Sequence, residues 1–125
     1  MVEKPSVISL CDLDDSLFQS ARKAVNSEGA IPVVRSSSGR EIAFQTREQQ
    51  ALSAWLFATT RVIPTTGRSS KWVSRVDLPF CDYAICSFGG VILTPEGKPE
   101  PRWHAHMEQQ CLAYGTEMEA LAAIC

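Results

Sequence analysis

Three carboxylates lie within four residues in the segment Asp12-Leu13-Asp14-Asp15-Ser16. The segment follows the apolar run Val7-Ile8-Ser9-Leu10-Cys11, which predicts a strand buried on both faces of a parallel sheet. Open α/β sheets bind ligands at the carboxyl ends of their strands, and crowded carboxylates favour a hard divalent cation, for which Mg²⁺ is the best match. The alternative interpretation is that Asp14, Asp15 or Ser16 caps a following helix.

A candidate anion site lies in Thr65-Thr66-Gly67-Arg68, at the end of a second predicted strand that starts at Arg61. A hydroxyl, a residue without a side chain and the N–H groups of a helix start can together bind an anion such as phosphate. The alternative is an ordinary strand-to-helix turn. Because an acidic segment ends another predicted strand, the two segments together indicate a metal-assisted phosphate site.

A helix and a hairpin are predicted between these two segments. Thr46-Arg47-Glu48-Gln49 has the pattern of a capping box, and the helix is expected to run to about Thr60. The region from Ala30 to Phe44, around the turn-forming Ser36-Ser37-Ser38-Gly39, predicts a small surface hairpin. Helical spacing predicts that the helix turns four residues inward: Leu52, Trp55, Leu56 and Thr59.

Helices and strands also alternate after the second segment. Ser69 or Ser70 is expected to cap a short helix that ends before Pro79. The order of elements predicts an α/β sandwich with parallel strands and right-handed crossovers. The short helix is expected to carry Trp72, Val73 and Val76, and the remaining strands are expected at Tyr83 to Ser87 and Val91-Ile92-Leu93. Three tryptophans are expected to be core or partly buried anchors: Trp55, Trp72 and Trp103.

The last predicted element is a long helix from about Arg102 to Cys125. Its apolar residues fall at steps of three or four, and no capping glycine or basic last turn closes it. We therefore expect a chain that is cut short and self-association through this helix. The apolar stripe consists of Met107, Cys111, Tyr114, Met118, Leu121 and Cys125.

Composition places the chain among single globular domains. It has 125 residues, 45% of them hydrophobic, and a net charge of −2. The absence of a long apolar run and of Lys/Arg clusters predicts a cytoplasmic protein that binds neither membrane nor nucleic acid. Five cysteines form an odd set without a Cys-x-x-Cys pair, which favours reduced, mostly buried thiols.

The two chemical segments resemble motifs of the haloacid dehalogenase superfamily. The segment from Val7 to Phe18 resembles its first motif, an apolar strand followed by D-x-D-x-[T/S], and Val62 to Arg68 resembles the second. The segment from Ile85 to Ile92 is similar to a strand and glycine turn in the large-capped phosphatases, which include sucrose-phosphate phosphatase-like proteins. The resemblance implies a Rossmann-like three-layer core with a parallel sheet over residues 1–101, a flap at 30–44, and a helix at 102–125 that begins a truncated cap or connection.

The same resemblance implies a reaction, the hydrolysis of a small phosphorylated metabolite such as a sugar phosphate. Asp12 would attack phosphorus and become an aspartyl phosphate, and Asp14 would serve as general acid and base. Both residues would hold Mg²⁺. Thr66 would donate a hydrogen bond to a phosphate oxygen, and Gly67 and Arg68 complete the predicted substrate site.

The sequence departs from the family pattern after the second motif. The family also needs a lysine and one or two further acids, and the chain ends before either; Lys71 and Lys98 are expected to be solvated lysines. The alternative function is therefore an inactive remnant of the family with a binding or interaction role. His104 and His106 are two residues apart, which disfavours a metal pair on a helix. A phospho-receiver domain is disfavoured because the predicted strand at 83–87 ends without an aspartate.

Overall fold

The computed structural model describes residues 3–24 and 27–124, and its helices and strands alternate along the chain. In chain order they are β1 (Ile8–Cys11), β2 (Gln19–Ser20), α1 (Ala21–Ala24), β3 (Ile31–Arg35), β4 (Glu41–Gln45), α2 (Arg47–Thr59), β5 (Arg61–Pro64), α3 (Ser70–Val73), β6 (Ala84–Cys86), β7 (Val91–Leu93) and α4 (Pro101–Ile124).

A small parallel sheet forms the part of the fold that positions the two chemical segments. β1 pairs with β5 in parallel, with Cys11 opposite Pro64 at the carboxyl ends. A parallel bridge between Thr65 and Ile85 brings β6 beside the end of β5, and β6 forms a hairpin with β7. The protein is thus a mixed α/β fold with a small parallel sheet and a long C-terminal helix.

A second, antiparallel sheet contains the predicted hairpin. Its strand order is β2-β4-β3, and Gly39 closes the turn between β3 and β4 with a φ of 86°. The hairpin is present, but its description as a surface feature is wrong, because Val33, Val34 and Ala43 are buried in the core. Two shifts of register in β3, on either side of Val34, place two successive valines inside.

The core lies between the hairpin, the acidic segment and α3. Phe18 is fully buried, and its ring lies 5.9 Å from that of Trp72. Val73 and Val76 are also buried there. The buried residues of this cluster are Leu13, Leu17, Phe18, Val33, Val34, Ala43, Val73, Val76, Ala84 and Cys86.

The prediction that β1 is buried on both faces is wrong. Ile8 is 50% exposed and Leu10 is 64% exposed, so alternate side chains of the strand contact solvent. The physical reason is position, since among the described residues β1 pairs only with β5 and therefore lies at an edge of the sheet.

The start of α2 is confirmed, but its predicted inward face is only partly right, since Leu56 packs against the core and the other three predicted residues are exposed. Thr46 Oγ1 accepts from the Gln49 N–H at 3.2 Å, and Gln49 Oε1 accepts from the Thr46 N–H at 3.0 Å, which completes the capping box. The buried residue of the helix is Ser53, whose hydroxyl accepts from buried Gln45 at 2.7 Å. This polar contact turns the helix so that Leu52 and Trp55 are exposed, by 45% and 61%. Trp55 is therefore not a core anchor.

The predicted short helix α3 is present, with Ser69 as its N-cap, but it ends at Val73 and does not include Val76 as predicted. In α4 no residue is buried, although the Trp103 indole donates to the Gly89 carbonyl at 2.9 Å. Within the described ranges, none of the helices has the length and hydropathy that a bilayer crossing requires.

The prediction of mostly buried thiols is only partly right. Cys86 is buried and Cys11 is half-buried, whereas Cys81 and Cys111 are exposed. Burial raises the pKa of the Cys86 and Cys11 thiols, which keeps both protonated at neutral pH. Cys125 lies outside the described residues.

Candidate active site

The acidic segment forms a tight turn anchored in the core. The side chain of Leu13 is fully buried, and its carbonyl accepts from the N–H groups of Ser16, Leu17 and Phe18. The next helix, α1, begins only at Ala21. The structure therefore contradicts the alternative in which these acids cap a directly following helix, and their carboxylates are available for another role.

The three carboxylates of the turn have different partners. Asp12 is exposed, and one of its oxygens accepts from the Ser16 hydroxyl at 3.2 Å. Asp15 Oδ1 accepts from the Lys23 ammonium at 2.6 Å. The backbone of Asp15 has a positive φ of 63°. Asp15 is therefore paired with a lysine of α1, and Asp14 with Arg68 of the second segment, whereas the recorded partner of the Asp12 carboxylate is an uncharged hydroxyl.

The second segment is a turn around a buried hydroxyl. Thr66 is 6% exposed, its N–H donates to the Ile85 carbonyl at 2.9 Å, and its Oγ1 accepts from the Arg68 N–H at 3.0 Å. As an acceptor in this turn, the Thr66 hydroxyl still has a proton to donate. The turn thus presents a donor that suits an anion.

Gly67 lies under an exposed aromatic ring in this turn. A Cβ built on Gly67 would overlap Cζ of Phe88. Because the Phe88 side chain is 94% exposed, its ring can move aside, and this contact alone does not require a glycine. The close approach of a ligand to the Gly67 backbone stays a prediction.

An ion pair joins the two chemical segments. The Arg68 guanidinium donates to both carboxylate oxygens of Asp14, at 3.1 and 3.2 Å, across 54 residues of sequence. The same guanidinium lies 4.5 Å from the ring centre of Trp72, and the hydrogen bonds that it donates to Asp14 are the main cause that raises its pKa. Both partners are about half exposed, so the pair contributes little to stability and mainly fixes geometry.

The remaining site residues come from neighbouring strand ends. The Thr65 N–H donates to the Cys11 carbonyl at 2.8 Å, directly before Asp12. The turns that carry Asp12 and Thr66 therefore start from adjacent ends of the parallel sheet, as expected for a ligand site in an open α/β sheet.

Backbone strain is concentrated around these turns. Three described residues other than glycine have positive φ: Asp15, Ser87 and Phe88. The Ser87 N–H donates to the Arg68 carbonyl, and the Phe88 N–H donates to that of Thr66. Such strain is common at functional sites. Sequence reasoning missed Phe88, which is 94% exposed; the adjacent glycines signalled a turn, but nothing signalled an exposed aromatic ring.

The donors of the acidic turn fit Mg²⁺ better than a softer metal. The Asp12 carboxylate and the Asp14 backbone carbonyl are hard oxygen ligands, and Mg²⁺ commonly binds one or two carboxylates together with water and phosphate. No group of three His, Cys, Asp or Glu side chains suited to a metal occurs in ranges 3–24 and 27–124. The described side chains therefore do not enclose a metal ion by themselves.

The candidate lysines and histidines lie elsewhere. Lys71 and Lys98 are exposed, as predicted, and Lys71 lines a groove of about 430 Å³ together with Leu78, Phe80 and Asp82. That groove includes none of the five candidate residues. His104 is exposed and lies 3.2 Å from Glu108 on its own helix. The candidate site is thus an open surface whose charged groups, Asp12, Asp14 and Arg68, are exposed or about half exposed.

Comparison with known proteins adds no relative. No protein family matches the sequence, and no curated protein matches it. The resemblance to the haloacid dehalogenase superfamily remains a prediction that depends on the two motifs and on the geometry described above.

Proposed function

We propose that the chain carries the phosphoryl-transfer site of a Mg²⁺-dependent phosphomonoester hydrolase of the haloacid dehalogenase type. The single observation that carries the proposal is the contact between Asp14 and Arg68, because it joins the acidic turn to the anion-binding turn. A small phosphorylated metabolite such as a sugar phosphate is the proposed substrate. The same proposal includes a Rossmann-like three-layer core that carries the two turns.

The proposed reaction has two displacements at phosphorus. An Asp12 oxygen attacks the phosphate ester, the bond to the ester oxygen breaks, and protonated Asp14 gives its proton to that oxygen. Water then attacks phosphorus in the aspartyl phosphate, Asp14 accepts a proton from the water, and inorganic phosphate leaves with Asp12 restored. Two such displacements replace one difficult hydrolysis, which is ordinary covalent catalysis.

The surroundings of Asp12 support its role as nucleophile. Its carboxylate is exposed, and the Ser16 hydroxyl holds one oxygen at 3.2 Å, which orients the other. On the neighbouring strand end the Thr66 hydroxyl supplies a hydrogen-bond donor. The Asp12 carboxylate and the Asp14 carbonyl would hold Mg²⁺, which would neutralise part of the negative charge of the phosphate.

In this proposal Arg68 donates hydrogen bonds to two alternative acceptors, the Asp14 carboxylate and the phosphate. Its planar guanidinium binds the Asp14 carboxylate through two hydrogen bonds, and the same fork fits two oxygens of a phosphate. Trp72, under the guanidinium, keeps the group in place while it exchanges one anion for the other. Exchange would release Asp14 for proton transfer only when phosphate is bound.

A second candidate function is phosphate and Mg²⁺ binding without turnover. Two observations favour it: Arg68 engages both oxygens of Asp14, and the exposed Lys71 lies in a separate groove. Without a further cation, the negative charge on the transferring phosphoryl group is poorly compensated. Loss of one preorganised donor typically costs about 10²–10³ in rate, so hydrolysis by this chain is expected to be slow.

A matched pair of variants tests the proposal. The chain is assayed with an aryl phosphate and Mg²⁺, and acid-quenched samples are analysed by mass spectrometry for a phosphoryl group on a peptide. Asp12→Asn removes the nucleophile, whereas Asp15→Asn makes the same change three residues further along the turn, on a carboxylate paired with Lys23.

Slow turnover or a trapped phosphoryl group that disappears in Asp12→Asn and persists in Asp15→Asn supports the hydrolase. Phosphate binding with neither turnover nor a trapped group favours the second candidate. Equal turnover in all three proteins overturns the assignment of Asp12.

A further inference from the structure

The long helix α4 extends an uncovered apolar surface away from the core. No residue of Pro101–Ile124 is buried, and the hydrogen bond from Trp103 ties only its first turns to the rest of the chain. Along the stripe, Tyr114 is 51% exposed, Met118 64% and Leu121 59%. Such a surface is uncommon on a stable soluble monomer.

The spacing of this stripe indicates which kind of element covers it. Met107, Cys111, Tyr114, Met118 and Leu121 follow steps of four, three, four and three residues. The mean step of 3.5 is the period of coiled coils, in which two helices pack along one shared seam.

No charge has to be buried when this seam closes. The charged residues of the same stretch are Glu108, Glu117 and Glu119, and at 3.6 residues per turn each lies about 80° or more around the helix from the centre of the stripe. A seam of uncharged side chains can pack against a copy of itself and therefore suits a two-fold contact between identical chains.

The total surface of the chain leaves room for such an interface. The accessible surface is 8729 Å² for 13.8 kDa. A compact monomer of that mass has about 6,600 Å², so the chain exposes roughly 2,100 Å² more than expected. A standard interface removes about 800 Å² from each partner. The excess is more than one dimer contact needs.

We propose that two copies of this chain associate through the α4 stripe, which is defined as Met107, Cys111, Tyr114, Met118 and Leu121. The proposal is independent of the phosphate site, because none of these residues belongs to the two chemical turns. A second copy is the occupant since the period, the lack of charge and the available area all match a helix like α4 itself.

The test measures oligomeric state by sedimentation equilibrium over a range of concentrations. The unaltered chain is compared with Met118→Glu, on the stripe, and with Leu112→Glu, which places the same charge on the opposite side of the helix, at a residue 86% exposed. Leu121→Glu is a second stripe variant, and far-UV circular dichroism confirms that each protein remains folded.

The unaltered chain is expected to form a dimer. Met118→Glu and Leu121→Glu are expected to raise the dimer dissociation constant at least about a hundredfold, because each removes two buried side chains per dimer. Leu112→Glu should change it by less than about threefold. A monomer at all concentrations overturns the proposal, as does a dimer that resists both stripe variants or that Leu112→Glu weakens equally.

Discussion

The ion pair between Arg61 and Asp82 offers the sharpest stability prediction. Arg61 begins β5, and its guanidinium donates to both oxygens of Asp82, at 2.7 and 3.0 Å. The Asp82 carboxylate is 6% exposed and also accepts from the Tyr83 N–H at 2.9 Å. The perturbation is Arg61→Met, which keeps the aliphatic stem and removes the charge.

The magnitude follows from the burial of the carboxylate. Removing one partner of a buried pair typically costs about 3–5 kcal/mol, because an uncompensated charge stays inside. Arg61 is 30% exposed and itself covers part of the carboxylate, so water replaces much of the lost contact, and we expect a loss of about 1–2 kcal/mol in the free energy of unfolding. For a chain of this length that corresponds to a fall of about 4–8 °C in Tm.

The pH dependence has a definite sign. The hydrogen bonds from Arg61 are the main cause that lowers the pKa of Asp82. A carboxylate with a lowered pKa stabilises the fold above the pKa of the unfolded chain, near 3.9, and this contribution is lost as pH falls through the folded value. The stability difference between the two proteins should therefore be full at pH 7 and shrink below about pH 4.

Urea unfolding at pH 7 and at several values down to pH 3, together with the double variant Arg61→Met/Asp82→Leu, checks this reasoning. The double variant should regain much of the lost stability, since it removes the stranded charge. A loss below about 1 kcal/mol in Arg61→Met, or a loss that does not change with pH, would refute the argument.

Three further predictions use thermal and urea unfolding followed by circular dichroism. Thr46→Ala should cost about 1 kcal/mol by removing the cap of α2, and a neutral result would mean that the capping box is not formed in solution. Phe18→Ala should cost about 3–5 kcal/mol, because the ring is fully buried against Trp72; a loss near 1 kcal/mol would contradict its central place in the core. Phe88→Asn should stabilise the chain by about 1 kcal/mol through relief of left-handed backbone strain, and destabilisation would show that the exposed ring contributes more than the strain costs.

The elements that the sequence predicted well are those determined by a few adjacent residues. Thr46 and Gln49 form a capping box from their own side chains, and Ser69 caps α3 in the same way. The strands at Ile31–Arg35 and Glu41–Gln45 follow from a local turn. Such features need no knowledge of tertiary partners.

Features that depend on distant partners escaped sequence reasoning. The inward face of α2 is set by a hydrogen bond from Gln45 to Ser53, which no apolar period reveals. The sequence of β1 is typical of a central strand. Leu10 is nevertheless exposed because, among the described residues, β1 pairs with β5 alone and lies at an edge of the sheet.

The candidate site also combines features determined by adjacent residues with features that depend on distant partners. Its residue types and their order along the chain were visible in two short motifs. The contact of Arg68 with Asp14 was not, because a guanidinium can reach several neighbours and only the fold selects one. Phe88 was missed because a strained turn exposes its ring, and no pattern of polar residues in the sequence indicates that exposure.

Calorimetric titration with Mg²⁺ in the presence of inorganic phosphate tests the central claim most directly. The proposed site requires the Asp12 carboxylate, so the unaltered chain and Asp15→Asn should release similar heat of binding, while Asp12→Asn should release none above dilution. Equal heats from Asp12→Asn and the unaltered chain, or no heat from any of the three, would contradict a phosphate and Mg²⁺ site at these turns.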